Sequence, residues 1–140
     1  ISPNECAGIG WILYNNNGQM ILRGMASINS TNTSLEADAE ALRSAMMQLR
    51  RLGYANVQFC VDALILYQNL KPFLRKDMHQ GIATSSPLAA YIQNIKSIAT
   101  SHSSFDVCKV SRLVNNVADK LAKVARTKKL HYVISWNSVY

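Results

Sequence analysis

Three aspartates, Asp38, Asp62 and Asp119, lie 24 and 57 residues apart in a chain that is poor in acids. Carboxylates brought close together repel one another unless divalent cations sit among them, so a gathered set of three would be a metal site. Each also has an ordinary role open to it. At 100° per residue, Leu35, Ala39, Leu42, Met46 and Leu49 fall within about 80° of arc and form a buried helical stripe. Glu36 and Glu40 lie on the far face of that wheel. Asp38 lies about 50° from the stripe centre, either as a carboxylate at the helix rim or as a first-turn acid favoured by the helix dipole. Asp62 follows a strand and precedes a helix. It is either an N-cap or a carboxylate opening into the crevice beyond a parallel strand. Asp119 is either the i,i+4 partner of Lys123 or the third member of a site. It is the only acid after Asp106, and residues 107–140 hold seven basic side chains against it, a net charge of +6.

The other chemistry-bearing residues are dispersed. His79, His102 and His131 suggest no metal shell or proton relay. Cys6, Cys60 and Cys108 are odd in number and lack CxxC spacing, so neither a disulfide framework nor a zinc site is expected. Cys60 and Cys108 sit in apolar runs and read as small buried hydrophobes. Gly8 and Gly10 lack the GxGxxG context of a dinucleotide site. Trp11 and Phe59 are expected to pack in the core. The sequons at Asn29 and Asn32 read as coincidence in a chain expected to be intracellular, in the nucleus or cytoplasm, without a membrane span or signal peptide.

The elements that must position the aspartates follow from punctuation and periodicity. Residues 6–14 form an apolar strand, Asn15-Asn16-Asn17-Gly18 a tight turn whose Asn-Gly pair accepts positive φ, and residues 19–27 the returning strand. Thr31 to Ser34 supplies cap candidates for a helix over residues 35–51 that stops at Gly53. A strand over 56–61, a short helix over 63–70, a crossing through Lys71-Pro72, and a helix from Ser86-Pro87 to about Thr100 follow. A strand over 105–110 and a helix over 115–126 close the pattern, and residues 127–140 form a tail with no expected element. The order β-β-α-β-α-α-β-α predicts an α/β fold with an antiparallel hairpin and parallel strands flanked by helices. At 140 residues, 49% hydrophobic and 16% charged, the chain has the composition of one globular domain and excludes a disordered tail or a fibre.

The segments Ala7-Gly8-Ile9-Gly10-Trp11, Leu35-Glu36-Ala37-Asp38-Ala39-Glu40-Ala41-Leu42, Val61-Asp62 and Val110 to Lys123 resemble the type 1 ribonuclease H domain. More narrowly, they resemble the plant branch found in retroelement-derived reverse transcriptases. The resemblance covers Cys6 to about Ala125, and it implies a mixed sheet and hydrolysis of the RNA strand of an RNA:DNA hybrid by two Mg²⁺ ions, with Mn²⁺ as a substitute. By motif match, Asp38 takes the place of a helix Glu, Asp62 that of a strand-end Asp and Asp119 that of a last-helix Asp. Arg112, Lys109, Lys120 and Lys123 become candidate contacts to nucleic acid. The resemblance also implies a first strand bearing a fourth carboxylate upstream of Ala7, so the chain is expected to be an N-terminally truncated, monomeric domain of a larger polyprotein. Asp38 is one methylene shorter than the family's Glu, which retracts its carboxylate by roughly 1.5 Å. The alternative to an enzyme is a catalytically inactive nucleic-acid-binding module of the same fold. A protein-interaction derivative is a third reading with no positive feature.

Overall fold

The computed structural model describes residues 6–29, 31, 33–70, 87–100 and 106–136. Their element order is β1 (Cys6–Tyr14), β2 (Met20–Asn29), α1 (Ser34–Arg51), β3 (Gln58–Val61), α2 (Leu64–Leu70), α3 (Pro87–Thr100), β4 (Asp106–Lys109), α4 (Asn116–Lys128) and β5 (Val133–Trp136). The fold class is α/β, with an antiparallel β1–β2–β5 sheet, a parallel β3–β4 pair and flanking helices. The expected Lys71-Pro72 crossing, the Ser86 helix start, Phe105, His79 and His102 lie outside the described residues. By their internal packing, residues 1–32 with 113–140 form one compact unit and residues 33–112 a second.

In the first unit the turn is built as its residues require. Gly18 adopts φ 76°, its N–H donates to Asn15 O at 3.0 Å, and the Asn15 side-chain oxygen accepts from the N–H groups of Asn17 and Gln19 at 2.9 Å each. The antiparallel register pairs Ile9 with Ala26, Trp11 with Gly24 and Leu13 with Leu22, and all six residues are buried on one face. Gly24 leaves room for the Trp11 ring, whose Nε1–H reaches across β2 to the Tyr132 hydroxyl at 2.6 Å. The tail departs from expectation. Residues 133–136 pair antiparallel with β2, Leu22 opposite Trp136 through Met25 opposite Val133, and Ser27 N donates to Leu130 O at 2.8 Å.

On the other face, α4 lies directly on β1 at Gly8 and Gly10. A Cβ on Gly10 would stand 2.5 Å from Ala118 O and 2.8 Å from Ala122 N, and one on Gly8 would overlap the Ala122 carbonyl. Glycine is required here because strand backbone meets helix backbone.

The second unit is built on α1. Thr33 caps it, its Oγ1 accepting from Glu36 N at 3.1 Å and donating to Glu36 Oε2 at 3.3 Å. The expected stripe is realised: Ala39, Leu42, Met46 and Leu49 are buried and Leu35 packs against the core. Glu36 departs from the wheel. It is 5% exposed because the cap folds its carboxylate back on Thr33. Ala39, Leu42 and Met46 meet Val61, Leu66, Leu70, Ile92, Ile95, Ala99 and Val107 in one core cluster. Each Leu or Ile buried there contributes roughly 1.5–3 kcal/mol. A bidentate Arg43–Glu40 pair at 2.9 Å, with Arg43 Nη1 donating to Asn94 Oδ1 at 3.3 Å, ties the outer side of α1 to α3.

Candidate functional site

The parallel pair of the second unit carries the most concentrated set of candidate residues. Gln58, Phe59, Cys60 and Val61 stand opposite Asp106, Val107, Cys108 and Lys109, and Val110 N extends the ladder to Val61 O at 2.8 Å. Because the strands are parallel and in register, the residues following both of them emerge at one end. Asp62 follows β3 there and is half-buried, while Lys109 ends β4 and Arg112 lies shortly beyond it, both exposed. An acid and two cations thus share the carboxyl end of a parallel pair, the position where α/β sheets present their ligand-binding groups. Asp62 is not the N-cap of α2. The first helical bond runs from Tyr67 N to Ala63 O at 3.0 Å, which puts Asp62 one residue ahead of the cap. Asp38 lies in the opening turns of α1 and is half-buried, as its place at the stripe edge requires.

The side of β3 and β4 opposite the core is polar. Gln58 Nε2 donates to Asp106 Oδ2 at 3.0 Å, and the next pair along the same face is Cys60 with Cys108. Neither cysteine is the fully buried hydrophobe that its apolar run suggests: Cys60 is exposed and Cys108 half-buried. Alternation is the cause, since Phe59, Val61 and Val107 take the inward positions. Partial burial of the sulfur, then the hydrogen bond and charge of Cys108, then the charge of Asp106, push the Cys60 thiol up to about 12. On the helical side, burial first and then the carboxylates of Glu40 and Glu36 raise the Tyr91 phenol above its ordinary value, with Arg43 opposing them.

The first unit supplies the basic helix. α4 turns Ala118, Leu121, Ala122 and Ala125 toward β1, which leaves Lys120 and Lys123 exposed on its outer side. Asp119 is exposed in its first turn, where the helix dipole favours an acid. Arg126, Lys128 and Lys129 are exposed as well, and Lys129 closes the helix in the left-handed conformation at φ 50°. These three were not among the expected contacts, although the basic run containing them is visible in the sequence. Asp38 and Asp62 belong to one unit and Asp119 to the other. Among the described residues, no group of three or more His, Cys, Asp or Glu side chains comes together to hold a metal ion. No helix among the described residues is long and apolar enough to cross a membrane.

A profile of the reverse transcriptase-like family matches residues 3–125, and the chain belongs to that family. Its fold is that of the type 1 ribonucleases H. RNase H1 from the halophilic archaeon Halobacterium salinarum superposes with a TM-score of 0.75 at 21% identity, covering 91% of this chain and 92% of that one. LC11-RNase H1, isolated from compost by a metagenomic approach and solved in complex with an RNA/DNA hybrid, gives 0.70 at 21% identity, covering 86% of each chain. An N-terminal RNase H domain from Mycobacterium tuberculosis gives 0.71 at 17% identity over 92% of this chain and 88% of that one. No curated protein sequence matches the chain.

Proposed function

We propose that this chain is a nucleic-acid-binding module of ribonuclease H-like fold whose ligand is an RNA:DNA hybrid. The observation that carries the reading is the outer side of α4, where Lys120 and Lys123 are exposed within a segment of net charge +6. Regularly spaced exposed cations on a rigid helix match a phosphate backbone, and such contacts position a duplex without reading its sequence. Lys109 and Arg112 are further backbone contacts from the end of β4, with the guanidinium suited to bidentate phosphate binding. The hybrid is favoured over plain DNA because a fold relative, LC11-RNase H1, was solved on an RNA/DNA hybrid. A hybrid of this kind is distinguished by groove shape and 2′-hydroxyls.

A second reading rests on the motif resemblance, by which Asp38, Asp62 and Asp119 stand where the family carries carboxylates. On that reading a longer parent protein, of the plant retroelement branch and acting in the nucleus or cytoplasm, hydrolyses the RNA strand with Mg²⁺ held by these three and a further carboxylate. The binding module is preferred for this chain because the observation behind it, the exposed Lys120 and Lys123 of α4, lies within a single unit of the described residues.

Both readings meet in one experiment. A fluorescent RNA:DNA duplex is titrated with the chain and with the Lys120→Ala, Lys123→Ala double variant at several salt concentrations. Loss of two phosphate contacts should weaken binding and flatten the slope of log K against log salt by roughly 2. Unchanged affinity and slope would remove α4 from the interface. The same mixtures, given Mg²⁺ and labelled RNA, should show binding without cleavage. Cleavage abolished by Asp62→Asn would replace the first reading with the second.

A further inference from the structure

We propose that Cys60 and Cys108 form a reversible dithiol–disulfide pair on the open face of the β3–β4 ladder. The two are direct register partners, and the residues that flank them fix that register: Gln58 is hydrogen-bonded to Asp106 on the same face, while Phe59 and Val107 point the other way into the core. Both thiols are free, and Cys60 is exposed to a reagent arriving from solvent. Paired strands hold their Cα atoms about 4.8 Å apart, inside the 4.4–6.8 Å range of disulfides. Directly opposed residues of a parallel ladder, however, keep their Cβ atoms near the same spacing, above the roughly 3.8 Å that a disulfide prefers. Closure therefore draws the strands together, and a bond made against its preferred geometry is the labile, regulatory kind. Cys6 lies on β1, where its register partner is Asn29 and not either of these cysteines.

The oxidant is a low-molecular-weight disulfide such as glutathione disulfide. One cysteine thiolate attacks a glutathione sulfur, forms a mixed disulfide and expels one glutathione thiolate, which takes up the proton released by the cysteine. The second cysteine then attacks the protein sulfur of the mixed disulfide, expels the second glutathione and closes the bond between Cys60 and Cys108. Two protein thiols are oxidised while one glutathione disulfide is reduced to two glutathiones. The pairing and its chemistry are independent of whether the chain binds or cuts nucleic acid.

The test is to equilibrate the full chain with glutathione disulfide, quench with acid, and map non-reduced peptides by mass spectrometry. The expected product is a monomer that has lost two thiol hydrogens, with a Cys60–Cys108 link, Cys6 still alkylatable, and full reversal by dithiothreitol. Cys6→Ser should behave identically, and this variant keeps the test intact whatever the others do. Cys60→Ser, checked for folding by circular dichroism, should stop at a glutathione adduct on Cys108. Separate adducts on Cys60 and Cys108 without a link, a link involving Cys6, or a disulfide only between two chains would each overturn the proposal.

Discussion

Substituting Gly10 by Ala tests the close approach of α4 to β1, on which the placement of Lys120 and Lys123 depends. The added Cβ would stand 2.5 Å from Ala118 O, 2.8 Å from Ala122 N and 2.9 Å from Leu121 Cβ. All three neighbours belong to the helix, and two are backbone atoms that no rotamer change can move aside. Restoring ordinary contact requires α4 to retreat by roughly 1 Å, and a gap of that size forfeits a quarter to a half of the dispersion energy of the atoms left behind. Overpacking of this kind typically costs about 1–3 kcal/mol, while replacing Gly by Ala returns roughly 0.4–1 kcal/mol through the unfolded chain. The net loss is about 1–2 kcal/mol. At about 4 °C per kcal/mol for a chain of this size, the melting temperature should fall by roughly 4–8 °C. Gly8→Ala should cost more, because its Cβ would overlap the Ala122 carbonyl itself. The assay is thermal unfolding followed by circular dichroism, with Gly18→Asn as control. Gly18 has open space around it and a φ of 76° that Asn accepts. If Gly8→Ala and Gly10→Ala both melt within about 1 °C of the parent, α4 does not sit on β1 in this way and the account of both glycines is wrong.

Two other substitutions probe one hydrogen bond each. Thr33→Ala removes the acceptor for Glu36 N and the donor to its carboxylate, and should lower stability by about 1 kcal/mol, read as a shift of the urea midpoint without a change in slope. Tyr132→Phe leaves the buried Trp11 Nε1–H without the hydroxyl it now reaches, which should cost about 1 kcal/mol and shift the tryptophan fluorescence.

The sequence made legible those features whose cause is local. The β1–β2 hairpin follows from Asn15 and Gly18, whose own side-chain and backbone preferences build the turn before any distant residue is consulted. The helix α1 follows from a stripe, a Thr cap and a terminating Gly53 at φ 92°. Strand β5 escaped notice because four residues, Val133–Trp136, carry too little pattern by themselves, and their extended state is conferred by the edge of β2. Glu36 was misplaced because a helical wheel ranks Cα directions and ignores the first turn, where a side chain can fold back on its cap. The cysteines erred for a related reason. Hydrophobic company along the chain suggested burial, whereas the alternation of Phe59 and Val61 already assigns Cys60 to the opposite face.

For the candidate site the same division holds. That Asp62 ends a strand, that Asp38 sits at a stripe edge and that Asp119 opens a helix are each one-element statements, and each is found in its element as expected. Convergence of the three is a statement about the packing of elements far apart in sequence, which no spacing encodes. What the second unit does place together is of a different kind: Asp62, Lys109 and Arg112 at one end of a parallel pair, set there by a register that Gln58 and Asp106 help to fix.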